Sequence, residues 1–206
     1  VIDQLSSKAT RGRPRQFDRQ AALTVGRALF HVHGYEALGI AAITEALGVR
    51  PASFYAAFGS KAAYFEQIAE AYASDVLPLD AFFCEDRPII DSISDLLSAA
   101  AREYTAHENQ VGCLILEALR ADSGDEGRRI AMRIAHTRRE KLEASIAHGA
   151  PAVAVIATDV VSVTMAGMSA AARDGIGYAR LKQVATVAIA GLRSLIGESL
   201  QVAVIP

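Results

Sequence analysis

The sequence predicts an all-α protein of about nine helices, a small N-terminal three-helix unit of the helix-turn-helix kind followed by a larger helical domain. Three observations support this. Apolar residues recur at intervals of three and four along most of the chain, as in Ala22, Val25, Leu29 and Phe30, or Ile93, Leu96, Leu97, Ala100 and Tyr104; such spacing puts one stripe on one helix face. No run alternates apolar and polar residues over the length of a strand, and no segment repeats. Glycines and prolines fall between the stripes, at Gly34, Gly48, Gly59, Pro78, Gly149, Pro151, Gly175 and Gly177, where helices stop.

The elements follow in order. Residues 1–16 read as a flexible basic arm, with Arg11, Arg13 and Arg15 set around Gly12 and Pro14. A helix-turn-helix domain is expected over residues 17–62, with helices from Asp18 to His33, Ile40 to Leu47 and Pro51 to Phe58. Ser60 is a good N-cap for a long helix from Lys61 to about Leu77, which Pro78 stops. The helical domain of residues 63–206 then holds segments from Ile89 to about His107, Cys113 to Ala121, Gly127 to His148, Val153 to Arg173 and Tyr178 to about Leu200, with a turn over Asp122 to Asp125.

Composition narrows the class. A chain of 206 residues can bury one substantial core, or one core and a small satellite. With 51% hydrophobic and 21% charged residues it is globular rather than disordered. The net charge of −2 is unevenly spread: residues 1–61 hold eight Lys or Arg against four Asp or Glu, a balance of +4, and the remainder carries −6. A basic end on an acidic body points to a bound polyanion. Two cysteines, Cys84 and Cys113, make no disulfide framework, so a reducing cytoplasm is the expected compartment, and the N-terminus lacks a signal pattern. Residues 150–172 are apolar enough to raise the question of a membrane span. Asp159 lies inside them, and Ser162, Thr164, Gly167 and Ser169 punctuate them, so a buried helix–helix contact is expected and no membrane partner.

The stretch Ala46 to Lys61, ALGVRPASFYAAFGSK, is the most informative. Gly48 suits a turn that needs φ > 0, and Pro51 suits the first turn of the next helix. Phe54 and Phe58, four apart, share a face that can be buried. Arg50, Ser53, Tyr55 and Ala56 are left on or near the other face. A short helix with a buried back and a small, partly polar front is what a DNA major groove accepts.

Residues 12 to about 66 closely resemble the DNA-binding domain of the TetR family of transcriptional regulators. The matching residues are Gly12-Arg13-Pro14-Arg15, Ala28-Leu29-Phe30, Gly34-Tyr35, Ile43, Leu47-Gly48-Val49, Phe54-Tyr55, Phe58 and Ser60-Lys61, in the family's order and spacing. Beyond them the chain shows only the family's helical pattern, with Gly112-Cys113-Leu114 similar to one subgroup. The resemblance implies an all-helical homodimer, with an N-terminal reader and a C-terminal domain for dimerisation and ligand binding. It would bind a near-palindromic double-stranded DNA operator, and a small apolar or amphipathic effector would release it. It also implies that Arg50, Pro51, Ala52, Ser53 and Ala56 face the bases, that Tyr55, Lys61 and Thr44 hold phosphates, and that Arg11, Arg13 and Arg15 touch the backbone or a groove. The chain departs from the family pattern at Leu38-Gly39-Ile40, where Ser or Thr is usual before the second helix. It departs again at Arg50 and Pro51, and at Ala56 and Ala57, where bulkier groups are common.

For an effector pocket the candidates are Phe65, Ile68, Tyr72, Tyr104, Cys113, Leu116, Glu117, Arg120, Met132, His136 and Met165, apolar groups with a few polar ones among them. For the dimer surface they are Val160, Val161, Met165, Met168, Ser169, Val187, Ala190, Gly191 and Leu195, on the last two helices, which would form a four-helix interface with a second copy. His136 and Glu140 are spaced i, i+4, but two ligands make no metal site, and no metal or cofactor is expected. No nucleophile elbow, phosphate loop or carboxylate pair is present, so an enzyme is not expected. The alternatives are a helical carrier or enzyme with a vestigial reader, and a regulator controlled by a protein partner.

Overall fold

The computed structural model describes residues 18–84 and 86–202 of the chain. Among them lie nine α-helices and no strand: α1 Arg19–His33, α2 Ile40–Leu47, α3 Pro51–Phe58, α4 Lys61–Asp75, α5 Ile89–Glu103, α6 Leu114–Ala118, α7 Glu126–Gly149, α8 Ala154–Arg173 and α9 Tyr178–Val202. Two single 3-10 turns, Leu79–Ala81 and Pro151–Val153, precede α5 and α8.

Local chemistry sets most boundaries. Asp18 accepts from the Ala21 N–H at 3.0 Å, Ser60 from Ala63 at 3.0 Å and Asp125 from Arg128 at 2.8 Å, each satisfying an orphan donor of the helix it opens. Gly48 takes the left-handed conformation (φ 65°, ψ 31°), and the N–H of Val49 reaches back to the Thr44 carbonyl. Three helices are shorter than periodicity suggests, among them α5, which ends at Glu103 rather than about His107. The fourth stops at Asp75 because Leu77 adopts φ +57°, a conformation costly for a side-chain-bearing residue. Arg138 of α7 holds that turn, donating to the carbonyls of Ala73 and of Leu77, the latter at 2.9 Å. The sixth stops at Ala118 rather than Ala121.

Two apolar clusters organise the chain. The first joins α1–α3 to α4, α6 and the N-terminal half of α7, and is centred on Phe30, Ile43, Phe54, Phe58, Tyr64 and Phe65. It runs across residue 62, because three short helices leave a stripe that only α4 closes. Gly26 lets α1 approach α4: a Cβ there would lie 2.3 Å from the Tyr64 hydroxyl. The second cluster is built from α5, α8, α9 and the C-terminal half of α7. Within it α8 buries Ala157, Thr158, Val161, Met168, Ser169 and Ala172. By length and hydropathy residues 151–173 could cross a bilayer. Here they pack on α5, α7 and α9, and Asp159 is paired with Arg139 at 2.8 Å.

Candidate nucleic-acid interface and effector cavity

The front of α3 is built as the sequence leads one to expect. Phe54 and Phe58 point inward, 0% and 4% exposed, and pack with Tyr64 at ring distances of 5.2 and 4.4 Å. Arg50, Pro51, Ala52, Ser53, Tyr55 and Ala56 are all exposed. Arg50 is the N-cap residue, in extended conformation, with Pro51 at the first helical position. The first turn of α3, where the Ser53 and Phe54 N–H groups donate to the Arg50 carbonyl at 2.9 and 3.1 Å, therefore faces outward with the cationic Arg50 at its cap, an arrangement suited to an anionic groove. The arm residues Arg11, Arg13 and Arg15 lie outside the described residues.

Two residues expected at phosphates are otherwise engaged. Thr44 is 5% exposed and its hydroxyl donates into its own helix, to the carbonyls of Ile40 and Ala41 at 3.0 and 3.1 Å. A phosphate contact from that side chain would require it to turn out of α2. Lys61 donates to the carbonyls of Tyr35 and Leu38 at 3.0 and 3.2 Å and stands 4.1 Å from the centre of the Tyr35 ring. Its ammonium, which has three donors, braces the α1–α2 loop and keeps one for another partner. Arg19, which sequence reading passed over, donates to the Ala57 carbonyl at 2.8 Å and to Gln67 at 2.5 Å, over the Phe58 ring. It ties the end of α3 to α1 and α4. Nothing in its local sequence signals that role.

The body holds a half-open cavity of about 340 Å³ between α4, α5, α6, α7 and α8. Tyr72, Tyr104, Cys113, Leu116 and Met165, all expected there, line it. The other six candidates do not. Phe65 and Ile68 are spent in the first cluster. Glu117 pairs with Arg173 at 3.2 Å, and Arg120 is exposed. Met132, 53% exposed, and His136 lie on the outer side of α7, with His136 3.3 Å from Glu140. Ala135, Arg138, Arg139 and Leu142 of α7 reach the cavity, which leaves position 136 rotated away and Met132 nearly a turn before the first of them along the helix. Sequence spacing gives the stripes but not which one meets the void.

The cavity is mainly apolar, with its polar groups already restrained. Arg138 is held by the Ala73 and Leu77 carbonyls, and Arg139 by Asp159 at 2.8 Å. The Tyr104 hydroxyl is buried, and the polar group beside it is the Cys113 thiol, a weak hydrogen-bonding partner. Burial raises the thiol above its usual range, so it stays protonated, and likewise raises the Tyr72 and Tyr104 phenols. Among the described residues no group of three or more His, Cys, Asp or Glu is placed to hold a metal ion.

The residues expected at a dimer surface divide by burial. Val161, Met168 and Ser169 are at most 1% exposed, and Val160, Met165 and Leu195 pack against the chain's own core. Val187 is 74% exposed, and Ala190 and Gly191 are exposed beside it. On α8 the open face is instead Val155, Ile156 and Val163, at 59%, 49% and 71% exposed, with Gly167. Val184 of α9 extends the same character. The side of α8 facing α5 and α9 is fixed by intramolecular packing, which an apolar helix sequence does not reveal.

An all-helical chain with an outward-facing recognition helix and a separate cavity-bearing body is a helix-turn-helix regulator by architecture. Comparison with known proteins agrees. The family profile "Bacterial regulatory proteins, tetR family" matches residues 22–68. The HTH-type transcriptional repressor BdcR of Escherichia coli (strain K12) is 34% identical over 188 residues, 91% of this chain and 95% of BdcR. The repressor ComR of the same organism is 30% identical, covering 86% of this chain and 90% of ComR. Among solved structures, a cysteine mutant of the TetR family regulator CifR complexed with 26bp double-strand operator DNA aligns with a TM-score of 0.70 and 30% identity, over 86% of this chain and 98% of that one. The chain belongs to the TetR family of bacterial transcriptional regulators, and is a DNA-binding regulator.

Proposed function

We propose that the protein is a dimeric repressor that binds a near-palindromic operator and leaves it when a small apolar or amphipathic molecule enters the cavity. The observation that carries the reading is the α3 front: Arg50 and Ser53 exposed on a helix whose back is locked by Phe54 and Phe58. Two copies would place α3 in successive major grooves about 34–36 Å apart. In that pose Arg50 and Ser53 read base edges, the Ala52 and Ala56 methyls meet thymine, and Tyr55 and the spare donor of Lys61 meet phosphates. The exposed apolar face of α8 and α9 supports pairing with a second copy, and the repressor names of BdcR and ComR and the operator complex of CifR support the direction of regulation. Such a protein acts in the cytoplasm, where its DNA lies.

The test is binding of the purified protein to its own upstream DNA against random duplex, across a salt series. A salt-sensitive preference for the upstream DNA is expected; equal binding to both overturns the reading. Thermal-shift screening with compact uncharged compounds tests the cavity, since a ligand of the native state raises the melting temperature.

A further inference from the structure

The reader and the cavity are joined by more than α4. A chain of polar contacts also runs between them. It starts at the cavity wall with Cys113, whose backbone N–H donates to the Ser169 hydroxyl at 2.9 Å. That hydroxyl lies 3.3 Å from Glu117 Oε1 and donates to it. Glu117 Oε2 meets Arg173 Nε at 3.2 Å, and Arg173 Nη2 donates to the His31 carbonyl at 3.0 Å. His31 sits in the last turn of α1, inside the reader.

Each link has a physical reason to matter. The His31 carbonyl is one of the last four of α1, which have no partner within the helix. Arg173 supplies that partner from the body, together with a positive charge at the negative end of the helix dipole. The His31 ring cannot provide that charge: burial lowers its pKa to about 4, so the neutral ring's Nε2–H donates to the Val111 carbonyl at 3.2 Å. Glu117 belongs to the five-residue α6, whose Ile115 and Leu116 line the cavity. The carboxylate that aims Arg173 therefore rides on a cavity wall. Gly112 keeps the neighbouring loop against α8, since a Cβ there would lie 3.0 Å from the Ser169 hydroxyl.

We propose that Arg173 is a positioning residue that transmits a displacement of α6 to the C-terminal end of α1, with Glu117 as the link between cavity and guanidinium. This rests on the reading of the cavity as an effector site and assigns the regulation of that site to α8 and α6 as well as α4. An occupant that pushes on Leu116 shifts Glu117, Arg173 follows its carboxylate, and the end of α1 loses its cap.

The experiment uses the full chain and no DNA, so it stands apart from the operator test. Leu116→Trp fills the cavity from α6, and Ala135→Leu fills it from α7. Amide hydrogen exchange is followed by mass spectrometry in α6 and in the last turns of α1, in the parent and in a Glu117→Gln background. Either filler is expected to speed exchange at the end of α1 by about five- to thirty-fold in the parent, the factor for one or two kcal/mol of lost protection. In Glu117→Gln, where Arg173 still caps His31 but is uncoupled from α6, the α1 response is expected to vanish while the α6 response remains. Arg173→Gln should raise α1 exchange with no filler at all. An equal α1 response in both backgrounds overturns the proposal and assigns transmission to α4; α1 unmoved by either filler overturns it as well.

Discussion

Gly26→Ala places a methyl group where α1 crosses α4. The added Cβ would stand 2.3 Å from the Tyr64 hydroxyl, 2.5 Å from its Cζ and 2.5 Å from Ile68 Cδ1. None of these atoms is free to move aside. Tyr64 is 0% exposed, its ring packs on Phe54 and Phe58, and its hydroxyl donates to the Ala22 carbonyl at 2.5 Å. Overpacking of this kind costs about 1–3 kcal/mol, and displacing the Tyr64 hydroxyl forfeits a hydrogen bond of about 0.5–1.5 kcal/mol. Alanine's better helix propensity returns about 0.8–1.0 kcal/mol. The clash wins, and a net loss of about 1–3 kcal/mol is expected. In a chain of this size that lowers Tm by roughly 3–10 °C, measured by circular dichroism at equal protein concentration. In a Tyr64→Phe background the same substitution should cost less, because the nearest atom is gone. A Tm equal to or above the parent's would refute the reasoning, since propensity would then outweigh the close approach.

Four further outcomes are expected. Arg50→Ala should bring operator and random DNA closer in affinity, with a loss of about 1–3 kcal/mol confined to the operator, whereas Lys61→Met should weaken both alike and also lower Tm, because it releases the Tyr35 and Leu38 carbonyls; paired titrations at one salt concentration distinguish them. Val187→Lys, at a site 74% exposed, should leave the monomer folded and shift sedimentation from dimer to monomer; an unchanged dimer would place the interface elsewhere. His31 has a folded pKa of about 4 against 6.5 for the free side chain, so the unfolded chain binds the extra proton first and stability falls as pH drops from above 6.5 towards 4. Denaturant titrations should show that slope, roughly 3 kcal/mol over the interval, and His31→Gln should flatten it. Tyr104→Phe removes a buried hydroxyl whose polar neighbour is only the weakly bonding Cys113 thiol and should leave Tm unchanged or raise it; a clear fall would mean the hydroxyl is well bonded in solution.

Much of the reader was legible because its signals are local. Gly48, Pro51 and Ser60 act on their own backbone neighbours, and the Phe54–Phe58 pair needs only helix geometry to share a face. The exposed residues Arg50, Ser53 and Tyr55 followed by elimination. Thr44 and Lys61 were less legible, since the carbonyls that engage Lys61 come from a loop more than twenty residues away and the Thr44 hydroxyl turns into its own helix. In the body, five of eleven cavity candidates line the void; His136 misses it by one step of helix rotation from Ala135, Met132 by its place along the helix, and no local signal marks Arg138 or Arg139 as lining residues.

Alone, the sequence determined the helical class, the order and approximate ends of the helices, and which side of α3 is buried, because spacing, caps and turns are properties of neighbours along the chain. Only the tertiary structure decided which stripe of α7 faces a cavity, which side of α8 is left open, and that Arg173 caps a helix 142 residues away. Those outcomes depend on how helices roll against one another. Rolling by one residue, about 100°, exchanges a buried side chain for an exposed one while leaving the apolar periodicity of the sequence unchanged.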